Sequence, residues 1–233
     1  MDSLLQPTHE AFHLLLTWDR DLWMIIGISF RVSLKAILCA TPFALLLAFV
    51  LAYAPFPGRR LVVSIFETLM ALPAVVVGLL IYLLLSRSGP LGDLRLLFSQ
   101  SAMVIGQIVL CFPILVAMGH AAIRAADPRA WETALTLGAC RPRAMLTLIH
   151  EVRFGLLVAV IAGFGRIISE IGTSMMVGGN IAGHTRNIPT AIALETSKGH
   201  FAEGIALGLV LVTLAFGLNL TLNLLQRREA QTA

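Results

Sequence analysis

Five polar side chains stand out because of where they occur. Arg166, Ser169, Glu170, Thr173 and Ser174 lie in an otherwise apolar stretch rich in small residues, Phe154 to Val177. Their spacing of i, i+3, i+4, i+7 and i+8 predicts one shared face of a helix. Charge and hydroxyl groups are costly in hydrocarbon, so this face is expected to meet protein or a water-filled cavity. Two chemistries are open to it. Arg166 and Glu170 can neutralise one another as an i, i+4 pair while the hydroxyls pack against neighbouring helices. Alternatively the stripe lines a path along which Arg166 attracts an anion. Neither involves bond making, and nothing else suggests an enzyme. The six histidines form no HExxH, and Cys39, Cys111 and Cys140 form no CxxC pair, so neither a metal centre nor a disulfide framework is indicated. No G-x-x-x-x-G-K-[ST] string occurs, so ATP, if used, must be bound by another chain.

The elements that carry this stripe follow from composition. Of the 233 residues, 58% are hydrophobic and 13% charged, where a soluble domain carries about 25% charged residues. The chain is therefore read as an all-α integral membrane protein surrounded by lipid. Its net charge of +4 comes from 17 Lys and Arg against 13 Asp and Glu, scattered along the sequence. A nucleic-acid partner is not expected from such a pattern.

A span needs roughly 20 apolar residues, and five stretches qualify. They are the charge-free run from Ala36 to Gly58, Leu61 to Leu85 with Glu67 inside, Leu96 to Ile123, Phe154 to Val177, and Gly204 to Gln226. Proline at 42, 73 and 113 is read as ordinary helix shaping. Ahead of them, Phe12 to Ser33 is read as an interfacial helix, because Arg31 and Lys35 follow its apolar run too soon for a crossing. The N-terminus lacks the pattern of a cleaved signal peptide. This divides the chain into an interfacial segment at 1–33, one transmembrane domain at 34–226 and a cytoplasmic tail at 227–233. Arg59, Arg60, Arg124, Arg129, Arg141, Arg143, Arg153, Arg227 and Arg228 share one side if the 124–153 loop is cytoplasmic, which predicts an outer N-terminus and an inner C-terminus.

Within that loop, Asp127-Pro128 reads as a helix start and Gly138 as its stop. The helix between them is too short to cross a bilayer. Here the sequence resembles the permease subunits of ATP-binding-cassette (ABC) importers, type I, whose cytoplasmic loop carries an EAA motif. Glu132-Thr133-Ala134 with Gly138 stand at the family's spacing, followed by Ala139-Cys140-Arg141-Pro142-Arg143-Ala144. One departure is His150-Glu151, where the family usually has Leu-Pro. The resemblance implies that Ala130 to Gly138 is a coupling helix docking in a groove of the ATPase, with Glu132, Thr133, Ala134 and Gly138 as its motif residues.

Beyond the stripe, the segments Gly163-Phe164-Gly165-Arg166, Ser169-Glu170-Ile171-Gly172, Met176-Val177-Gly178-Gly179-Asn180-Ile181, Thr185-Arg186 and Leu194-Glu195-Thr196-Ser197-Lys198-Gly199 closely resemble the tungstate-specific group of these permeases. Molybdate and sulfate permeases are similar to a lesser degree. The likeness implies ATP-driven import of an oxyanion, and it makes Asn180, Arg186 and Glu195 candidates for an outer gate or docking surface. It implies a homodimer, two separate ATPase subunits that bind ATP and Mg, and an extracytoplasmic binding protein. No cofactor is expected in this chain. A proton-coupled secondary transporter using Glu67 or Glu170 is the competing class, disfavoured because five spans show no internal repeat.

Overall fold

Alanine at every fourth position sets how closely the first two long helices pack. The computed structural model describes residue 13 and residues 16–126 and 128–232. Helix α1, Arg20–Tyr53, carries Ala36, Ala40, Ala44, Ala48 and Ala52 on one face, each at most 2% exposed. That face meets Gln100–Ala125, which is α4 in chain order. A Cβ added at Gly119 of α4 would be 3.3 Å from the Ala48 Cβ. Such small-residue seams let helix backbones approach, and dispersion rather than hydrophobic expulsion holds them inside a bilayer.

The expected interfacial helix leads directly into the first long helix. The interfacial helix and the span are not separate, because α1 runs unbroken through residue 33. No proline or glycine lies between Ser33 and Ala36, and Arg31 and Lys35 both point to the exposed side, so neither charge ends the helix. Its 34 residues make it about 51 Å long. Asp19 starts it, accepting from the Leu22 N–H at 2.9 Å. The first twelve residues lie outside those described.

The second expected span is bent. Helices α2, Arg59–Leu69, and α3, Ala74–Leu85, meet at 99°. Pro73, which has no N–H to continue a helix, is the N-cap of α3. A loop with a short 3₁₀ turn at Gly92–Leu94 leads to α4, whose start is capped by the Ser99 hydroxyl.

Then come α5, Pro128–Thr136, α6, Arg141–Glu151, and α7, Arg153–Ile168. The last two meet at 74°. Helix α8, Gly172–Gly178, is followed by α9, Ile188–Lys198, and α10, Phe201–Thr232. The segment from 227, expected as a tail, continues α10. Among the described residues three helices are long and apolar enough to cross a membrane, or up to five crossings if each bent pair counts as one.

The main core joins α1, α3, α4, α7 and α8. A second core, Leu22, Ile26, Ile188, Ala191, Ala206 and Leu207, packs the first turns of α1 against α9 and α10. A third, at the other end, joins Ala48 and Ala52 to Ile123, Leu148, Val152 and Leu156. The bundle thus has an α9 end and an α5 end.

Candidate functional site

The polar stripe does not run along one continuous helix. Helix α7 stops at Ile168 and α8 begins at Gly172, with Ser169, Glu170 and Ile171 between them. Glu170 holds the break together. Its carboxylate is paired with the Arg166 guanidinium on α7, and its other oxygen accepts from the Gly172 N–H at 2.8 Å. One acid thereby neutralises a cation and caps the first turn of α8.

The two partners differ in exposure: the Glu170 side chain is 9% exposed and that of Arg166 38%. A guanidinium has five N–H donors and Glu170 engages Nη1, so Arg166 presents donors to open space while its charge is locally balanced.

The hydroxyls have separate tasks. Ser169 is exposed, and its Oγ donates back to the Gly165 and Arg166 carbonyls at 3.0 and 3.2 Å. Thr173 and Ser174 are buried. Thr173 Oγ1 donates to the Ala74 carbonyl at 2.8 Å, and Ser174 Oγ accepts from Asn187 Nδ2 at 3.0 Å. Within this chain both join helices rather than face open space. Thr173 fits because glycines oppose it: a Cβ at Gly78 would be 2.9 Å from the Thr173 Cα.

Gln107, which drew no attention in the sequence, closes the other side of the break. Fully buried on α4, it donates from Nε2 to the Ile167 carbonyl at 3.2 Å, which also accepts from the Glu170 N–H at 3.2 Å. Its polarity inside an apolar span was the available signal.

At the α9 end the loop after α8 is folded by its own side chains. Gly179, at φ 69°, ends α8 in the left-handed region that suits glycine. Thr185 Oγ1 donates to the Gly178 carbonyl at 2.6 Å and accepts from the Ile181 N–H at 3.0 Å. Asn187 and Thr190 form a capping box at the start of α9. The Ile188 N–H donates to Ser29 Oγ on α1 at 2.7 Å. Asn187, followed two positions later by Pro189, is a readable helix start, although its link to Ser174 is not readable.

Two of the three residues expected at an outer gate meet. Glu195 is buried, with Lys198 Nζ and His200 Nδ1 each 3.0 Å from its carboxylate and Arg186 Nη1 at 3.9 Å. Asn180, at φ 51°, instead donates from Nδ2 to the Thr190 carbonyl at 3.4 Å. Burial pushes the Glu195 carboxyl up, but hydrogen bonds and charge from Lys198 and His200 outweigh it and hold the group below its ordinary value.

At the opposite end α5 spans Pro128–Thr136, starting at the proline read as its first residue and ending two residues before Gly138, its expected stop. Glu132 and Thr133 are exposed on it, and Leu137 just beyond is 82% exposed. Gly138, at φ 83°, turns the chain back. Asp127, expected to cap α5, lies outside the described residues, and the Ala134 side chain is likewise not described.

Two outcomes follow from this geometry. Glu170→Ala uncaps α8 and strips Arg166 of its partner, so it should destabilise the protein by about 1–3 kcal/mol, with Glu170→Gln closer to wild type. Thermal unfolding in detergent measures this, and equal loss in both variants would contradict the capping role. For Glu195, a carboxyl lowered in the folded state contributes stability that is complete above its unfolded value and vanishes as pH falls through the folded one. Backbone hydrogen exchange of residues 178–199, corrected for intrinsic rates, should be slower in wild type than in Glu195→Gln at about pH 6, and the difference should shrink as pH falls below the ordinary carboxylate range. A difference independent of pH would contradict the ion cluster.

No family model matches the chain. It is 35% identical over 226 residues to the tungstate uptake system permease protein TupB of Peptoclostridium acidaminophilum, covering 97% of this chain and 99% of that protein. Identity to the TupB of Campylobacter jejuni is 37% over 227 residues, covering 97% and 95%. The molybdenum transport system permease protein ModB of Escherichia coli strain K12 is 30% identical over 206 residues, covering 84% and 89%. The fold is shared with a bacterial ABC transporter involved in the import of the acidic polysaccharide alginate, at a TM-score of 0.71 and 19% identity, covering 92% of this chain and 82% of that one. An amino acid ABC transporter structure has a TM-score of 0.65 at 17% identity, covering 93% and 98%. With identity above 30% along nearly its whole length to transport permeases, this chain belongs to the family of ABC transporter permease subunits.

Proposed function

We propose that the chain is the membrane subunit of an ATP-driven importer of tetrahedral oxyanions, with tungstate as its substrate. The observation that carries this reading is the 35% and 37% identity, over 97% of the chain, to two tungstate uptake permeases. The chemistry of the break supports it. Arg166 retains unspent N–H donors of the kind that bind tetrahedral anions, while the Glu170 pair prevents it from acting as a full trap.

In this account Arg166, Ser169 and Glu170 line the translocation path, and Thr173 and Ser174 fix the wall behind them. Asn180, Arg186 and Glu195 order the outer gate at the α9 end. Helix α5, with Glu132, Thr133, Ala134 and Gly138, faces the cytoplasm and couples to the ATPase. The working assembly is two copies of this chain in lipid, two ATPase subunits that bind ATP and Mg, and an extracytoplasmic binding protein that delivers the anion. Closure of the ATPase pair shifts the path between outward and inward access, with the energy coming from the difference in nucleotide affinity between the two states.

Two measurements test these assignments. In uptake by the reconstituted system, equimolar tungstate should suppress molybdate entry, and sulfate should suppress neither; preference for molybdate or sulfate would reassign the substrate. Glu132→Arg should abolish association with the ATPase while the permease still inserts and folds. Normal assembly and uptake in that variant would remove α5 from the coupling role.

A further inference from the structure

The loop between α3 and α4 has no part in the roles above, yet it walls a cavity of 1020 Å³ at the α9 end. Arg87, Arg95 and Asp93 line it together with Tyr82, Ser86 and Ser88. The lining carries two cations and one anion. Among the described residues none of the three forms an ion pair. Ser86 Oγ donates to the Leu83 carbonyl at 3.1 Å and lies 3.4 Å from Ser88 Oγ, so these hydroxyls brace the loop and the arginines supply the charged donors of the cavity.

The loop that presents these groups is folded rather than loose. Its backbone closes on itself through Gly89 N–H to the Ser86 carbonyl at 2.8 Å, Leu91 N–H to Leu84 at 2.9 Å, and Arg95 N–H to Gly92 at 3.1 Å. Arg95 is held at φ 50° and Phe98 at φ 63°. That left-handed region costs a non-glycine residue on the order of 1 kcal/mol or more, and it persists only where surroundings impose it.

Phe98 then ties the cavity to the helix break. Its N–H donates to the Val177 carbonyl of α8 at 2.8 Å. Its ring lies 6.3 Å from that of Tyr82 and so close to Gly179 that a Cβ there would be 2.7 Å from Cδ1. The cavity therefore borders the short helix that Glu170 caps.

We propose that this cavity is a receiving site for the free oxyanion, a tetrahedral dianion held between Arg87 and Arg95 before it enters the path. The inference rests on the oxyanion reading of function. Guanidinium forks match the edges of a tetrahedral oxyanion, and a concave wall of low dielectric concentrates their field.

The test is equilibrium dialysis of tungstate against the purified permease and ATPase complex, without binding protein, in phosphatidylcholine nanodiscs at low ionic strength. Wild type should retain tungstate, and the double variant Arg87→Gln/Arg95→Gln should bind it at least about tenfold more weakly, with unchanged basal ATPase activity. Asp93→Asn should tighten retention, an outcome that a misfolded loop would not give. Retention should also weaken with salt.

Absence of retention by wild type, or equal retention by the double variant, would overturn the site. Loss of binding-protein docking in the double variant with tungstate retention intact would make an acidic protein surface the partner instead. Retention abolished by phosphatidylglycerol would make a lipid headgroup the ligand. ATP-driven tungstate uptake by wild type without retention removes the receiving site alone, whereas uptake of no oxyanion removes the function reading with it.

Discussion

A helix that breaks inside an apolar layer frees N–H and C=O groups that hydrocarbon cannot satisfy, so each must find a partner in the protein. The segment from α7 to α9 breaks twice, and specific groups meet the requirement at both places. Glu170 accepts from the Gly172 N–H, Thr185 donates to the Gly178 carbonyl, Ser29 accepts from the Ile188 N–H, and Gln107 adds a second donor to the Ile167 carbonyl, which the Glu170 N–H also reaches. Two of these four side chains come from α1 and α4, the pair locked together by the alanine seam. The irregular segment is thus suspended from the most regular part of the bundle.

That arrangement explains how a seven-residue helix can sit at the centre of the molecule. α8 is far too short to be stable alone, and it is held by α3 through Thr173, by the loop ahead of α4 through Phe98 and by the start of α9 through Ser174. Three separate elements converge on it. In the proposed importer, movement of α7 relative to α3 and α9 would have to change the hydrogen bonds around α8. The discrete set of partners makes such a change a switch between arrangements rather than a continuous slide.

Much of this was legible in the residues. The apolar runs gave the crossings, Gly138 gave the end of α5, and the i, i+4 spacing gave the Arg166 and Glu170 pair. The break between α7 and α8 was not legible, because the 3.6-residue period of polar groups continues across it and only Gly172 marks the site. For the same reason Thr173 and Ser174 looked equivalent to Ser169, although one is exposed and two are buried. Hydropathy also did not show that the segment before residue 33 and the run after it are one helix: charge suggests where a bilayer ends, whereas a helix stops only where its backbone loses partners or meets a breaker. Gln107, Asn187 and Ser29 act through contacts 60, 13 and 159 positions away in sequence, a distance that no local pattern reports.

The central claim is that this bundle moves an oxyanion with energy from a separate ATPase. Accumulation of tungstate in proteoliposomes carrying the permease, its ATPase and binding protein tests that most directly. The account predicts accumulation that requires ATP hydrolysis and persists when the proton gradient is collapsed. Uptake that proceeds without ATP and stops with the proton gradient would contradict it.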